Sequence, residues 1–430
     1  MTDPKPDQSA ERHASWAELF FDLIVVAGAG VFAHILIGDF TLAALGLFAA
    51  LYLAFWLIWI TFTLYGNTAG GETKLVRLLA GMSGLGVMAA AVPGVVAAYL
   101  HHEPGHPPSW IQANVFALAY VISRIVGAQS WSRGQVVADF PIVQMGFGSL
   151  PWLVSLWVPG EHKIWWWVAG LAIDIVGVFV VSGEQVLARS RERTEQVRRR
   201  ATEAAEQGTL REHRDWRGNR RTALDRVEGA VVIRVGLAPE HLAERLGLFV
   251  IIVLGEGVIQ VIHSASEADW NIGLLAAGGV SLGLSVGMFT LSLIYGYAGI
   301  PDLEPCALST RALLALHWVG TASIVALSAV LAAMIVEPRD SLPDQQRWLL
   351  CGAVSTYLTV ALVAYIATRG RRWGPIGLWL LTGLAVPVAG GIFGAHWSAR
   401  AMVGYAALVL AAHVWLARRG RAARAAALSE

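Results

Sequence analysis

The chain has 430 residues, 56% of them hydrophobic and only 15% charged, with a formal net charge of +1 and a mean hydropathy of +0.55. A soluble protein of this composition would carry far more apolar surface than it can hide, so the composition points to a polytopic membrane protein. Continuous runs rich in Leu, Ala, Val and Gly, rather than short alternating segments, exclude a membrane β-barrel and predict an all-α integral membrane fold.

Residues 1–15 are polar and read as a short tail, with no cleavable secretion signal ahead of the first apolar run. Six spans follow, at 16–37, 41–65, 75–100, 110–129, 136–158 and 164–187, each about 20 residues or more at about 1.5 Å of rise per residue. A charged linker, 189–240, carries twelve Arg against seven acids between Arg189 and Arg226. It reads as a solvated helical or disordered connection, with docking to anionic lipid or protein as the alternative. Six further spans are predicted at 242–263, 272–299, 308–336, 348–368, 373–393 and 398–416, before a basic tail at 419–430. The expectation is about twelve transmembrane helices, in a first half over 16–188 and a second over 241–418. LFFDLIVVAGAGV in the first span aligns without gaps with LGLFVIIVLGEGV in the seventh, which suggests an internal repeat with parallel halves.

Lys and Arg are retained on the cytoplasmic side, and they set the orientation. With both termini inside, Lys74, Arg77, Arg133, Arg369, Arg371, Arg372, the linker and the tail are all cytoplasmic, against Lys163, Arg339, Arg347 and Arg400 outside. The inner membrane of a bacterial cell is the expected location. Cys306 and Cys351 then fall on opposite sides, so no disulfide or thiolate metal site is expected.

Charges within the spans carry the functional signal, because ionisable groups are costly in lipid. Glu18 and Asp22, four apart, share one helix face and require a cation partner or a proton. Arg124, at compatible depth in span four, is the expected partner of Asp22; the other reading is a cation or proton site at the inner mouth. Glu244 and Arg245 open span seven, where an acid complements the helix dipole, and read as cap and interfacial anchor or as a gate. Glu256 lies about 15 to 20 Å along that span, between Gly255 and Gly257, which allow close approach of another backbone or a ligand. Asp174 and His317 are also near mid-depth, and a proton relay through Glu256, His317 and Asp174 is chemically feasible; a structural His317 is the alternative. The outer segment HHEPGH, at 101–106, reads as an exposed loop, with metal capture or pH sensing as the alternative.

WAELFFDL at 16–23 and HLAERLGLFVIIVLGEG at 241–257 together resemble the signatures of the bacterial low-temperature-requirement A (LtrA) family. Glu18, Leu19, Phe20, Asp22 and Leu23 match the first signature. His241, Glu244, Arg245, Gly247, Leu248, Ile251, Leu254, Gly255 and Glu256 match the second, with Leu246 and Gly257 departing from the usual Phe and Ser. The resemblance implies a multi-pass membrane protein over most of the chain and carries no activity.

No H-E-x-x-H, phosphate loop or nucleophile elbow occurs, so no enzyme and no cofactor are expected. With Trp216 as its only stacking aromatic and no recognisable module, the basic linker does not suggest nucleic-acid binding. Two functional classes remain. One is a transporter or channel for protons or small cations using the intramembrane carboxylates; the other is a non-transporting sensor or scaffold that reads envelope or stress state.

Overall fold

The computed structural model describes residues 13–37, 40–69, 73–101, 108–131, 135–207, 213–214, 220–221, 232–297, 308–336, 339–369 and 373–429. The HHEPGH loop beyond His101 and Cys306 lie outside them. Helices α1 (Trp16–His34), α2 (Leu42–Ala69), α3 (Leu75–Leu100) and α4 (Ile111–Ala128) come first. Strand β1 (Gln135–Val137), the short helix α5 (Ser149–Val154), α6 (Lys163–Val180) and the charged α7 (Gly183–Glu206) follow. The second half holds α8 (Pro239–Glu267), α9 (Ile272–Phe289), α10 (Thr310–Val336), α11 (Asp344–Arg369), α12 (Trp373–Leu380), α13 (Val386–Phe393) and α14 (Ala399–Ser429). Among the described residues eleven helical segments are long and apolar enough to cross a membrane, α12 and α13 counting as one around a π turn at Leu381–Ala385.

Local chemistry sets several starts. Ser15 and Glu18 form a reciprocal capping box at α1, the Asn271 side chain accepts from the Leu274 amide at α9, and Pro239 occupies the first turn of α8. Trp16, Leu42, Ile111, Phe179, Ile272 and Leu408 are among many large apolar side chains left on the outside, as expected of a surface that meets lipid. α2 and α10 are the most enclosed helices and form the centre of their halves.

The predicted fifth span is not a helix. Residues 136–158 fold as β1, a 3-10 turn at Pro141–Gln144, α5 and a second 3-10 turn at Ser155–Trp157. Proline at 141 and 151 and glycine at 146 and 148 interrupt an otherwise apolar run, and non-helical backbone is tolerated at such depth only when buried in protein. Side chains supply the missing donors. Arg124 Nη2 donates to the carbonyls of Met145 at 2.8 Å and Ile142 at 3.3 Å, and Lys163 Nζ donates to that of Ser155 at 2.5 Å.

This broken segment nevertheless crosses. α1 and α8 pack together, and their contacts run in step: Arg245 reaches Glu18, and eleven residues further along α8 the carboxylate of Glu256 meets Gly30, twelve residues further along α1. The two helices are therefore parallel, which demands an even number of crossings before α8. α1 to α4 and α6 make five, and the broken segment makes the sixth. Its ends agree, since β1 pairs in parallel with a second strand, β2 (Ile233–Val235), just before α8, while the Gly160 carbonyl accepts from Tyr99 Oη at the far end of α3.

Boundaries shift elsewhere. Span six ends at Val180 rather than 187, and α7 starts at once, its Gly183 pressed on the Ala138 backbone. Arg234 holds that junction through Glu184 at 2.6 Å and Asp139 at 3.1 Å. α14 runs on through the predicted basic tail to Ser429. The same pairings occur in both halves: α1 with α3 and α8 with α10, α3 with α4 and α10 with α11, α4 with α5 and α11 with α13, α2 with α6 and α9 with α14.

Candidate functional site

Charge concentrates on the seam between α1 and α8. Asp22 and Glu18 share a face of α1, and both are almost wholly buried, as are Arg245 and His241 on α8. Arg245 Nη2 lies 2.6 Å from Asp22 Oδ1, and its Nη1 lies 3.4 Å from Glu18 Oε1. Trp59 of α2 donates its indole N–H to the same Asp22 Oδ1 at 2.9 Å. Glu18 Oε2 also accepts from the amide and hydroxyl of Ser15, both at 2.8 Å, with His241 Nε2 at 3.5 Å. Gly66 of α2 makes room for this carboxylate, because a Cβ there would overlap it.

The tautomer of His241 follows from its surroundings. Asn67 Oδ1 accepts from the Ala238 amide and Asn67 Nδ2 donates to the Ala238 carbonyl, both at 2.9 Å, which sets the orientation of the amide. Its Nδ2 is also 3.1 Å from His241 Nδ1, which must therefore accept. The ring hydrogen is then on Nε2, aimed at Glu18.

Further along the seam is an aromatic plug. Phe249 and His317 close on Trp59, with ring centroids 4.3 and 6.0 Å from its own. Trp56 Nε1 donates to His317 Nδ1 at 3.2 Å; indole only donates, so His317 Nε2 carries the hydrogen and gives it to the Leu246 carbonyl at 3.2 Å. His317 is thus a neutral, doubly bonded ring. Beyond the plug, Glu256 lies against Gly30, accepting from Gln260 Nε2 at 2.7 Å. Gly257 admits Ser328 of α10 in the same way, whereas Gly255 has open space beside it.

Arg124 does not meet Asp22. Its Nη2 bonds Asp174 Oδ1 at 3.1 Å, and Asp174 Oδ2 accepts from Tyr120 Oη at 2.9 Å. Depth along a helix is readable from residue number, but the face of the bundle is not, and Arg124 points into the broken crossing while Asp22 points at α2 and α8. Consequently Asp174, His317 and Glu256 are not brought into one relay: each is bonded within its own cluster. Arg245, expected as an interfacial anchor, is fully buried as the cation of the seam. Glu244 is the half-exposed member, accepting from the Ala14 amide at 3.1 Å.

Three participants escaped sequence reasoning. His241 stood in a signature without a role; Asn67 and Trp59 lay in the long apolar run of α2, where a lone amide and an indole three residues after Trp56 were the available signals.

Comparison with known sequences settles the family. The profile described as bacterial low temperature requirement A protein (LtrA) matches residues 13–417, nearly the whole chain. The chain belongs to the LtrA family. No curated protein and no solved structure gives a match. The charged seam of this LtrA protein coincides with both segments that resemble the family signatures, so those signatures mark two halves of one buried cluster.

Proposed function

We propose that this LtrA-family protein moves protons or small cations across the bacterial inner membrane, using carboxylates on the seam between two parallel, repeated halves. One observation carries the reading. Buried carboxylates stand on both sides of an aromatic plug along the same seam, Glu18 and Asp22 before Trp59, Phe249 and His317, and Glu256 after them. Ionisable groups so placed are costly in lipid and are kept where charge must pass. A closed plug between two charge sites suits a transporter, which exposes its sites alternately, better than an open pore. The recurring helix pairings and the parallel course of α1 and α8 support the repeat. Arg-rich α7, on the same side as the starts of α1 and α8, supports a cytoplasmic N-terminus, and the even number of crossings supports the same side for the C-terminus.

The test is flux into proteoliposomes under imposed pH, sodium and potassium gradients, comparing wild type with Glu256→Gln and Asp22→Asn. Flux in the wild type that is lost in folded variants is the expected result. A wild type inert to all three gradients, with function in cells abolished by removing 189–226 and untouched by Glu256→Gln, would refute transport in favour of the sensor reading.

A further inference from the structure

We infer that the ion handled by the seam is the proton, and that Asp22 Oδ2 is the atom that holds it. The inference rests on the transport reading for its purpose but not for its chemistry. Asp22 is 1% exposed, and its two oxygens are treated unequally. Oδ1 takes both donors, Arg245 Nη2 at 2.6 Å and Trp59 Nε1 at 2.9 Å, whereas Oδ2 is buried with no hydrogen-bond partner among the described residues. A buried carboxylate oxygen left without a donor is costly, and that cost disappears when the oxygen carries a hydrogen of its own.

Among the described residues, the charged and titratable groups facing Asp22 are Glu18 on its own helix, Arg245 with His241 beyond it on α8, and His317 of α10 behind Trp59. Arg245 is shared with Glu18, so Asp22 does not have a guanidinium to itself. His241 points its hydrogen at Glu18, and the ring nitrogens of His317 are engaged by Trp56 and Leu246, so neither serves Asp22. Among the described residues, the side-chain atoms bonded to Asp22 are N–H donors, the Trp59 indole and the Arg245 guanidinium, and Glu18 takes further donors from Arg245, His241 and Ser15. A sodium, potassium or divalent ion seeks a shell of several oxygens, and this shell presents hydrogens instead. A proton needs one lone pair, and Oδ2 offers it.

Access is also built in. Glu244 is half-exposed, Glu18 lies inward of it beside Ser15, and Asp22 lies one helical turn deeper. A proton leaving Asp22 breaks its Oδ2–H bond and forms one to the lone pair that receives it, so the step needs no other reactant.

The experiment is infrared difference spectroscopy of the full-length protein in liposomes across a pH series, with sodium and potassium exchanged at constant pH. The expected result is a protonated-carboxyl carbonyl band that is lost on raising pH, shifts in heavy water, ignores the metal cation, persists in Glu256→Gln and vanishes in Asp22→Asn. Trp59→Phe keeps the carboxyl but removes one donor from Oδ1, and it is expected to shift the pH at which the band is lost; this holds the inference testable should Asp22→Asn misfold. A band unchanged in both variants, or one displaced by sodium or potassium at fixed pH, would overturn it. A titrating Asp22 band in a protein without flux supports the proton site while refuting transport; sodium or potassium flux without the band does the reverse.

Discussion

Replacing Arg245 with Met probes the seam most directly. The side chain is wholly buried, and the two carboxylates it serves are each 1% exposed, at 2.6 and 3.4 Å. Removing one partner of a buried ion pair costs about 3–5 kcal/mol, chiefly because a charge is left behind without compensation. Here two carboxylates within one helical turn lose their shared cation, so the upper end, about 5 kcal/mol, is expected. Neutralising Asp22 in the same protein removes one stranded charge, while Ser15 and His241 still hold Glu18, and should restore about half of the loss. The assay is unfolding by SDS in mixed micelles, followed by tryptophan fluorescence, as a double-mutant cycle. A loss of less than about 1 kcal/mol in Arg245→Met, or an Asp22→Asn that adds to the damage instead of relieving it, would show that Arg245 does not hold the two carboxylates.

Two further predictions separate space from chemistry. A methyl at Gly30 would overlap the Glu256 carboxylate, whose end can move, so Gly30→Ala should cost about 1 kcal/mol in the same unfolding assay and reduce flux sharply; Gly255→Ala meets open space and should leave both intact. Asn67→Ala removes two bonds to the Ala238 backbone and the contact that sets the His241 tautomer, so it should cost about 1–3 kcal/mol. Isotope-edited histidine NMR should then show both tautomers of His241 in place of one.

The helical membrane class and most of the crossings were legible because a long apolar run has only one economical solution in lipid. The fifth crossing was not, since its apolar length matched a helix while Pro141, Pro151 and two glycines decided otherwise, and the donors that rescue its carbonyls come from Arg124 and Lys163, on other elements. The charges of the site were legible as a set, because Glu18, Asp22, Arg245 and Glu256 stand out against apolar neighbours. Their pairing was not. Arg124 and Arg245 both lie at depths that suit Asp22, and choosing between them requires the azimuth of each helix, which packing sets. His241 and Asn67 were invisible for another reason: their contribution is an orientation handed from the Ala238 backbone through an amide to an imidazole, and no spacing encodes it.

The two buried Asp–Arg pairs look alike in composition and differ in what surrounds them, which predicts opposite outcomes for the same substitution. At Asp174 each oxygen has a donor, Arg124 on one and Tyr120 on the other, and the guanidinium also braces the carbonyls of Ile142 and Met145. Asp174→Asn takes away the carboxylate that, among the described residues, is paired with Arg124, and leaves a buried cation in the broken crossing, at a cost of about 3–5 kcal/mol. Asp22→Asn keeps an acceptor for Arg245 and Trp59, and Arg245 still has Glu18, so its cost should stay near that of one hydrogen bond to a charged group, about 1.5–3 kcal/mol. Flux reverses the order, because Oδ2 of Asp22 is the oxygen left open: Asp22→Asn should abolish proton flux in protein that folds, whereas Asp174→Asn should retain flux per folded molecule. Unfolding in mixed micelles and flux normalised to folded protein decide it. Equal losses of stability in the two variants, or proton flux that survives Asp22→Asn, would mean that the unequal treatment of the Asp22 oxygens has no functional consequence.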